Sequence, residues 1–194
     1  PCPLPLYAFT PRAEESHLIL QNGEWVLLSF CAEAGRRHQP YTVALNLSGT
    51  QFVHSNIARI VATVLEETGL PPQRLELELT ESTIIADQAR ALQVLHQIKD
   101  MGVSLALDDF GTGYSSLDTL RRFPFDRIKI DRSFFGAAQT SDHTQAVVRA
   151  VLALGKAFDI PVMAEGIETA DQLSMLNAAG CDEAQGFLLG RPAA

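Results

Sequence analysis

The chain has 194 residues, 46% of them apolar and 20% charged, with a formal net charge of −8. That length and apolar content suit one globular domain with a sizeable core. The acidic balance argues against DNA or an anionic membrane as a partner, and suits a protein that gathers carboxylates around cations.

No apolar run approaches the ~20 residues of a membrane span, and the start Pro1-Cys2-Pro3-Leu4-Pro5-Leu6 has neither the basic segment nor the apolar core of a secretory signal. Cys2, Cys31 and Cys181 are widely spaced and read as reduced thiols rather than a disulfide frame. A cytoplasmic domain without membrane contact is expected; an anchor elsewhere in a parent protein remains compatible.

Residues 1–12, with prolines at 1, 3, 5 and 11, read as an irregular arm. Glu24 to Arg37 has a helical pattern, and Tyr41 to Leu47 is a strand. Gln51 to Thr68 is helical and stops at Gly69 and the Pro71-Pro72 pair. Arg74 to Thr80 is a strand, Asp87 to Met101 a helix ended by Gly102, and Val103 to Leu107 a strand. A short helix at Ser116–Arg122 precedes a strand at Asp126–Ile130. Thr144–Phe158 is a helix, Pro161–Ala164 a strand, Ala170–Ala179 a helix ended by Gly180, and Asp182–Gly186 a last strand. Such alternation predicts parallel βα units.

The strand ends carry the chemistry. Asn46, Glu78, Asp108, Lys129, Glu165 and Gln185 lie at or near the C-terminal ends of the six strands. In a (β/α)8 barrel these ends meet on the catalytic face. An open doubly wound sheet also collects groups there, but usually shows a Gly-rich phosphate turn after its first strand, and none is visible. A barrel is therefore expected. The adjacent carboxylates Asp108-Asp109 are costly unless water or a cation offsets them, which points to a divalent metal. In Leu75-Glu76-Leu77-Glu78-Leu79 leucines and glutamates take opposite faces, predicting a charged inner layer with Arg127 near Glu76 and Glu183. Taken singly, Asp109 also reads as a helix cap, Lys129 as a snorkelling side chain, Glu78 as half of a salt bridge, Asn46 as a turn former and Glu168 as part of a helix start. The five histidines show no ligand spacing.

The ordered motifs Ala13-Glu14-Glu15-Ser16, Gly23-Glu24-Trp25-Val26-Leu27, Asn46-Leu47-Ser48, Glu78-Leu79-Thr80-Glu81-Ser82, Asp108-Asp109-Phe110-Gly111-Thr112-Gly113-Tyr114-Ser115-Ser116-Leu117, Ile128-Lys129-Ile130-Asp131, Ala164-Glu165-Gly166-Ile167-Glu168-Thr169 and Gln185-Gly186-Phe187 resemble those of the EAL family. The likeness runs from about Ala8 to Pro192. Members of that family are bacterial phosphodiesterases with a TIM-like barrel that hydrolyse cyclic di-GMP to linear pGpG. The naming Glu-Ala-Leu motif is not in the sequence. In the family it precedes the stretch resembling residues 8–16, so the 194 residues are expected to form one EAL domain that lacks its first two strands and belongs to a longer parent.

The resemblance implies that Asn46, Glu78, Asp108, Asp109 and Glu165 ligate two ions, Mg2+ or Mn2+, with Asp108 between them. It makes Lys129 the residue that orients the attacking water and Glu165 a general base as well as a ligand. Glu168 and Gln185 would support the site or touch substrate, and Glu81 would anchor the loop at 110–116. Family members also imply pairing of two copies and an upstream sensory or diguanylate-cyclase-like domain. The alternative is a degenerate EAL domain that binds cyclic di-GMP or a partner protein without hydrolysis.

Overall fold

Helices and short parallel strands alternate along the computed structural model, which describes residues 18–37, 39, 41–85, 87–111, 117–135 and 142–191. The arm expected at 1–12 and the loop residues 112–116 lie outside these. Contacts divide the chain into two units, Pro1–Leu105 and Ala106–Ala194.

The first unit opens with α1 (Leu18–Arg36), followed by β1 (Val43–Asn46), α2 (Gly49–His54) and α3 (Ile57–Thr68). After a single 3-10 turn come β2 (Leu75–Thr80), α4 (Glu81–Ile85) and α5 (Gln88–Asp100), then the start of β3 (Ser104–Asp108). β1 and β2 pair in parallel, with Asn46 opposite Glu78. Ile57, Ala58, Val61, Val64 and Leu65 form the buried stripe of α3, the 3.6-residue periodicity of a helix with one face in the core. The expected helix Gln51–Thr68 is two helices. Ser55 is extended and Asn56 caps the second helix by accepting from Arg59 N, so the chain turns between His54 and Ile57. Asn at an N-cap satisfies a donor that a continuing helix would have satisfied itself.

Arg74 organises the entry to β1. Its guanidinium donates to the carbonyl oxygens of Ala34, Gln39 and Tyr41 at 3.0, 3.1 and 3.0 Å. One planar, five-donor group thus satisfies a carbonyl at the end of α1 and two beyond it.

The second unit holds the end of β3, then α6 (Leu117–Arg122), β4 (Arg127–Ile130), a 3-10 turn at Arg132–Phe135, α7 (Asp142–Phe158), β5 (Val162–Ala164), α8 (Ala170–Ala179) and β6 (Glu183–Ala184). Its strands neighbour one another in chain order and all pair in parallel. The α/β reading therefore holds within each unit. The element starting at Val162 is only three residues long, and β6 only two, so the loops beyond them set where the following side chains stand. Thr169 caps α8 and Gly180, at φ 78°, ends it. Among the described residues no helix is long and apolar enough to cross a membrane, and Cys31 and Cys181 are free thiols.

Candidate functional site

In the first unit, β2 is buried at its leucines and its glutamates alike. Leu75, Leu77 and Leu79 are fully buried, and Glu76 and Glu78 are almost as inaccessible, at 4% and 5%. A buried carboxylate needs a hydrogen-bond donor, and Asn46, opposite Glu78 in the ladder, provides one: its Nδ2 donates to Glu78 Oε2 at 2.9 Å. Asn46 is itself exposed. Both side chains are oxygen donors of the type that hard divalent cations take. Ser48 then closes a reciprocal cap with Gln51, which fixes the backbone just past Asn46: Ser48 Oγ accepts from Gln51 N, and Gln51 Oε1 accepts from Ser48 N. Glu81 begins α4.

The second unit brings together Asp108, Asp109, Lys129 and Glu165. Asp108 is the last residue of β3, Lys129 lies inside β4 and Glu165 follows β5 directly. Lys129 is 4% exposed, and its Nζ stands 2.5 Å from Glu165 Oε1. That is a charge-assisted bond rather than a snorkelling surface amine. Burial pushes the Asp108 carboxyl up to about 6; the Glu165 and Asp109 carboxylates push the same way, while Lys129 and the Asp109 N–H pull it back. Asp109 is raised too, by burial and by Asp131, against Lys129. Burial, more than the neighbouring carboxylates, disfavours the charged forms of both groups, and a bound cation would offset that cost.

Asp109 has φ 56°, in the left-handed region. That conformation costs a non-glycine residue about 1 kcal/mol, and Asp tolerates it better than most. Here its N–H donates to Asp108 Oδ1 at 2.9 Å. Asp131 was missed as a contributor, although its position just past Ile130 follows the same strand-end pattern as the others.

The segment after Glu165 is tightly confined. Gly166 has φ 68°, and a Cβ there would come 2.3 Å from Arg132 Cβ. Ile167 N donates to Gln185 O, Leu188 N donates to Ile167 O, and a Cβ at Gly186 would stand 2.2 Å from Ile167 N and O. Gln185 and Glu168 are exposed at this rim. Thr169 rather than Glu168 caps the helix, which leaves the Glu168 carboxylate free of that role. Arg127 Nη1 pairs with Glu183 Oε2 at 3.1 Å, one of the two carboxylates expected near it. Among the described residues no three His, Cys, Asp or Glu side chains group closely enough to hold a metal ion. The Lys129 ammonium is the cation that Glu165 faces.

The sequence model of the EAL domain matches residues 4–192. An uncharacterised signalling protein of Caulobacter vibrioides is 49% identical over 190 residues, which are 98% of this chain and 24% of that protein. The bifunctional diguanylate cyclase/cyclic di-GMP phosphodiesterase MucR of Pseudomonas aeruginosa is 43% identical over 188 residues, 95% of this chain and 27% of MucR. The chain thus spans about a quarter of the length of the curated relatives it matches. Among solved structures, the PaMucR phosphodiesterase in its c-di-GMP complex superposes with a TM-score of 0.92 at 43% identity, covering 97% of this chain and 84% of that one. The EAL domain of Mycobacterium smegmatis DcpA gives 0.80 at 40% identity, covering 88% and 78%. With its strand-end carboxylates, lysine and TIM-like α/β architecture, the chain belongs to the EAL domain family.

Proposed function

We propose that this chain is the hydrolase domain of a cyclic di-GMP phosphodiesterase and cleaves its substrate to linear pGpG. The observation that carries the reading is buried Lys129 paired with half-buried Glu165 beside Asp108. A pocket built only to bind phosphate would be rich in basic groups. Here one ammonium lies among carboxylates, a composition suited to metal-assisted attack on a phosphodiester.

On donor chemistry and family resemblance rather than on their spacing, Asn46, Glu78, Asp108, Asp109 and Glu165 would hold two divalent ions, Mg2+ or Mn2+. Their hard oxygen donors and the raised Asp108 and Asp109 carboxyls fit such ions. When bound, the ions supply Lewis-acid polarisation of the phosphoryl oxygens and a more acidic water. Hydrolysis adds water across one P–O3′ bond: the water oxygen bonds to phosphorus, and O3′ leaves with the bond electrons and gains a proton. Lys129 orients the water and offsets charge growing on the phosphoryl oxygens. Glu165 takes the water proton, with Lys129 holding its carboxylate in place. Glu168 and Gln185 sit at the rim, where they support the site or meet the substrate; most of the 110–116 loop that Glu81 would anchor lies outside the described residues.

The same reading assigns the domain to the cytoplasm, pairs it with an upstream sensory or diguanylate-cyclase-like domain and allows a homodimer. The test is incubation of the full-length protein with cyclic di-GMP and Mg2+ or Mn2+, with pGpG followed by chromatography. Asp108→Asn and Lys129→Ala are each expected to lower kcat by about a hundredfold or more. Tight binding of cyclic di-GMP without metal-dependent pGpG would establish a receptor instead.

A further inference from the structure

Gln172 joins the segments that leave two neighbouring strands. It is the third residue of α8, and its Oε1 accepts from Glu168 N at 2.8 Å and from Thr169 N at 2.9 Å. On its other side Nε2 donates to Phe135 O. Phe135 is buried and closes the short turn Arg132–Phe135, which begins three residues after Lys129. Glu168 and Thr169 follow three and four residues after Glu165. One side-chain amide therefore spans the exits of β4 and β5, the strands that present Lys129 and Glu165.

Helix capping accounts for only half of this. In a capping box the third residue supplies an acceptor, and a glutamate serves as well as a glutamine. Thr169 completes the box by accepting from Gln172 N at 3.3 Å. The donor to Phe135 O adds nothing to the helix start, yet it uses the one atom that distinguishes glutamine from glutamate. The same two segments also meet where Gly166 lies against Arg132, too close for any Cβ. Because β5 is three residues long, Glu165 stands beyond the last ladder residue. Its N–H donates to Ile130 O at 3.0 Å, and the segment after it decides where its carboxylate points.

We propose that Gln172 is a positioning residue for hydrolysis: its amide clasps the Arg132–Phe135 turn to the 168–169 backbone and so holds Glu165 opposite Lys129. The proposal rests on the phosphodiesterase reading. Loss of the clasp lets the 165–169 segment shift, and misplacing a reacting group by about 1 Å costs up to about a hundredfold in rate.

Gln172→Glu separates the two roles, because the carboxylate keeps both acceptor bonds and loses the donor to Phe135. Gln172→Ala removes both. In the full-length protein with cyclic di-GMP and Mn2+, Gln172→Glu is expected to lower kcat by about tenfold to a hundredfold with KM changed less than about threefold. In the metal-free protein, amide hydrogen exchange over 132–135 and 165–169 should accelerate while the rest of α8 stays protected. A residue that only caps the helix would give a different pattern: Gln172→Glu matching wild type in both measurements, with only Gln172→Ala affected. That pattern beside an active wild type overturns the clasp. A wild type without metal-dependent hydrolysis overturns the phosphodiesterase reading itself, and with it the catalytic purpose of the clasp.

Discussion

Lys129 Nζ and Glu165 Oε1 lie 2.5 Å apart, with side chains 5% and 25% exposed. Lys129 sits opposite Met163 in the β4–β5 ladder, so Glu165 reaches it from two residues further along the neighbouring strand direction. The pair is a structural element as well as a candidate catalytic one, since the buried Lys129 charge and the half-buried Glu165 charge each offset part of the other's desolvation.

Replacing Lys129 with Met should therefore destabilise the metal-free protein by about 2–3 kcal/mol, because it strands a half-buried carboxylate. The double variant Lys129→Met/Glu165→Gln should recover at least half of that loss. Urea denaturation of the wild type, the single variants Lys129→Met and Glu165→Gln and the double variant gives the coupling; a double variant no more stable than Lys129→Met would show that the pair is not what holds the two strands' side chains.

Asp108 titrates at about 6 in the fold against an ordinary value near 3.8. With the folded value raised, the folded state holds its proton more tightly than the unfolded chain. The group's contribution is most favourable below about pH 4 and is lost as pH rises to about 6. Asp108→Asn should accordingly raise the stability of the metal-free protein at pH 7–8, by on the order of 1 kcal/mol after allowance for solvent screening, and leave it unchanged near pH 4. Thermal melts of both proteins across that range check the sign.

Metal uptake should show the same group. Ligation requires the ionised carboxylate, so Mn2+ affinity falls as pH drops through 6 and binding releases protons in that range. Calorimetry in buffers of different ionisation enthalpy measures the release. A proton count near zero at pH 6 would exclude Asp108 as a ligand.

Gly186→Ala places a methyl group where Ile167 backbone atoms stand at 2.2 Å, and backbone cannot rotate aside as a side chain can. A loss of about 2 kcal/mol or more is expected, together with displacement of Gln185. Gly180→Ala is the control. Nothing lies within 4 Å there, but φ is 78°, so only the left-handed penalty of about 1 kcal/mol applies. Equal losses at the two sites would mean that the Gly186–Ile167 approach is not tight.

Arg74→Lys should cost about 1–2 kcal/mol despite keeping the charge. A single ammonium does not reproduce the fork that serves Ala34, Gln39 and Tyr41 together. Chemical denaturation measures it, and a neutral effect would assign those carbonyls to water.

Much of the fold was legible because the signals are local. The helix Ala170–Ala179 is bounded by Thr169 and Gly180 as its cap residues imply, and β2 is a strand where leucine–glutamate alternation predicts one, although both sets of side chains are buried. Ser55-Asn56 was passed over because apolar periodicity continues through it, whereas the cap that breaks the helix depends on one side-chain hydrogen bond. The short α4 and the turn Arg132–Phe135 went unread for a similar reason, since four or five residues carry no period.

By itself the sequence determined the type and order of the longer elements and the set of polar groups at the strand ends, since periodicity, caps and turn residues act within a few positions. Only the tertiary structure decided how those groups are satisfied. Asn46 meets Glu78 across 32 positions and Lys129 meets Glu165 across two strands. Gln172 reaches back 37 positions to Phe135. Burial, Coulomb interaction and hydrogen bonding depend on distance in space, and parallel pairing brings together residues that the chain keeps far apart.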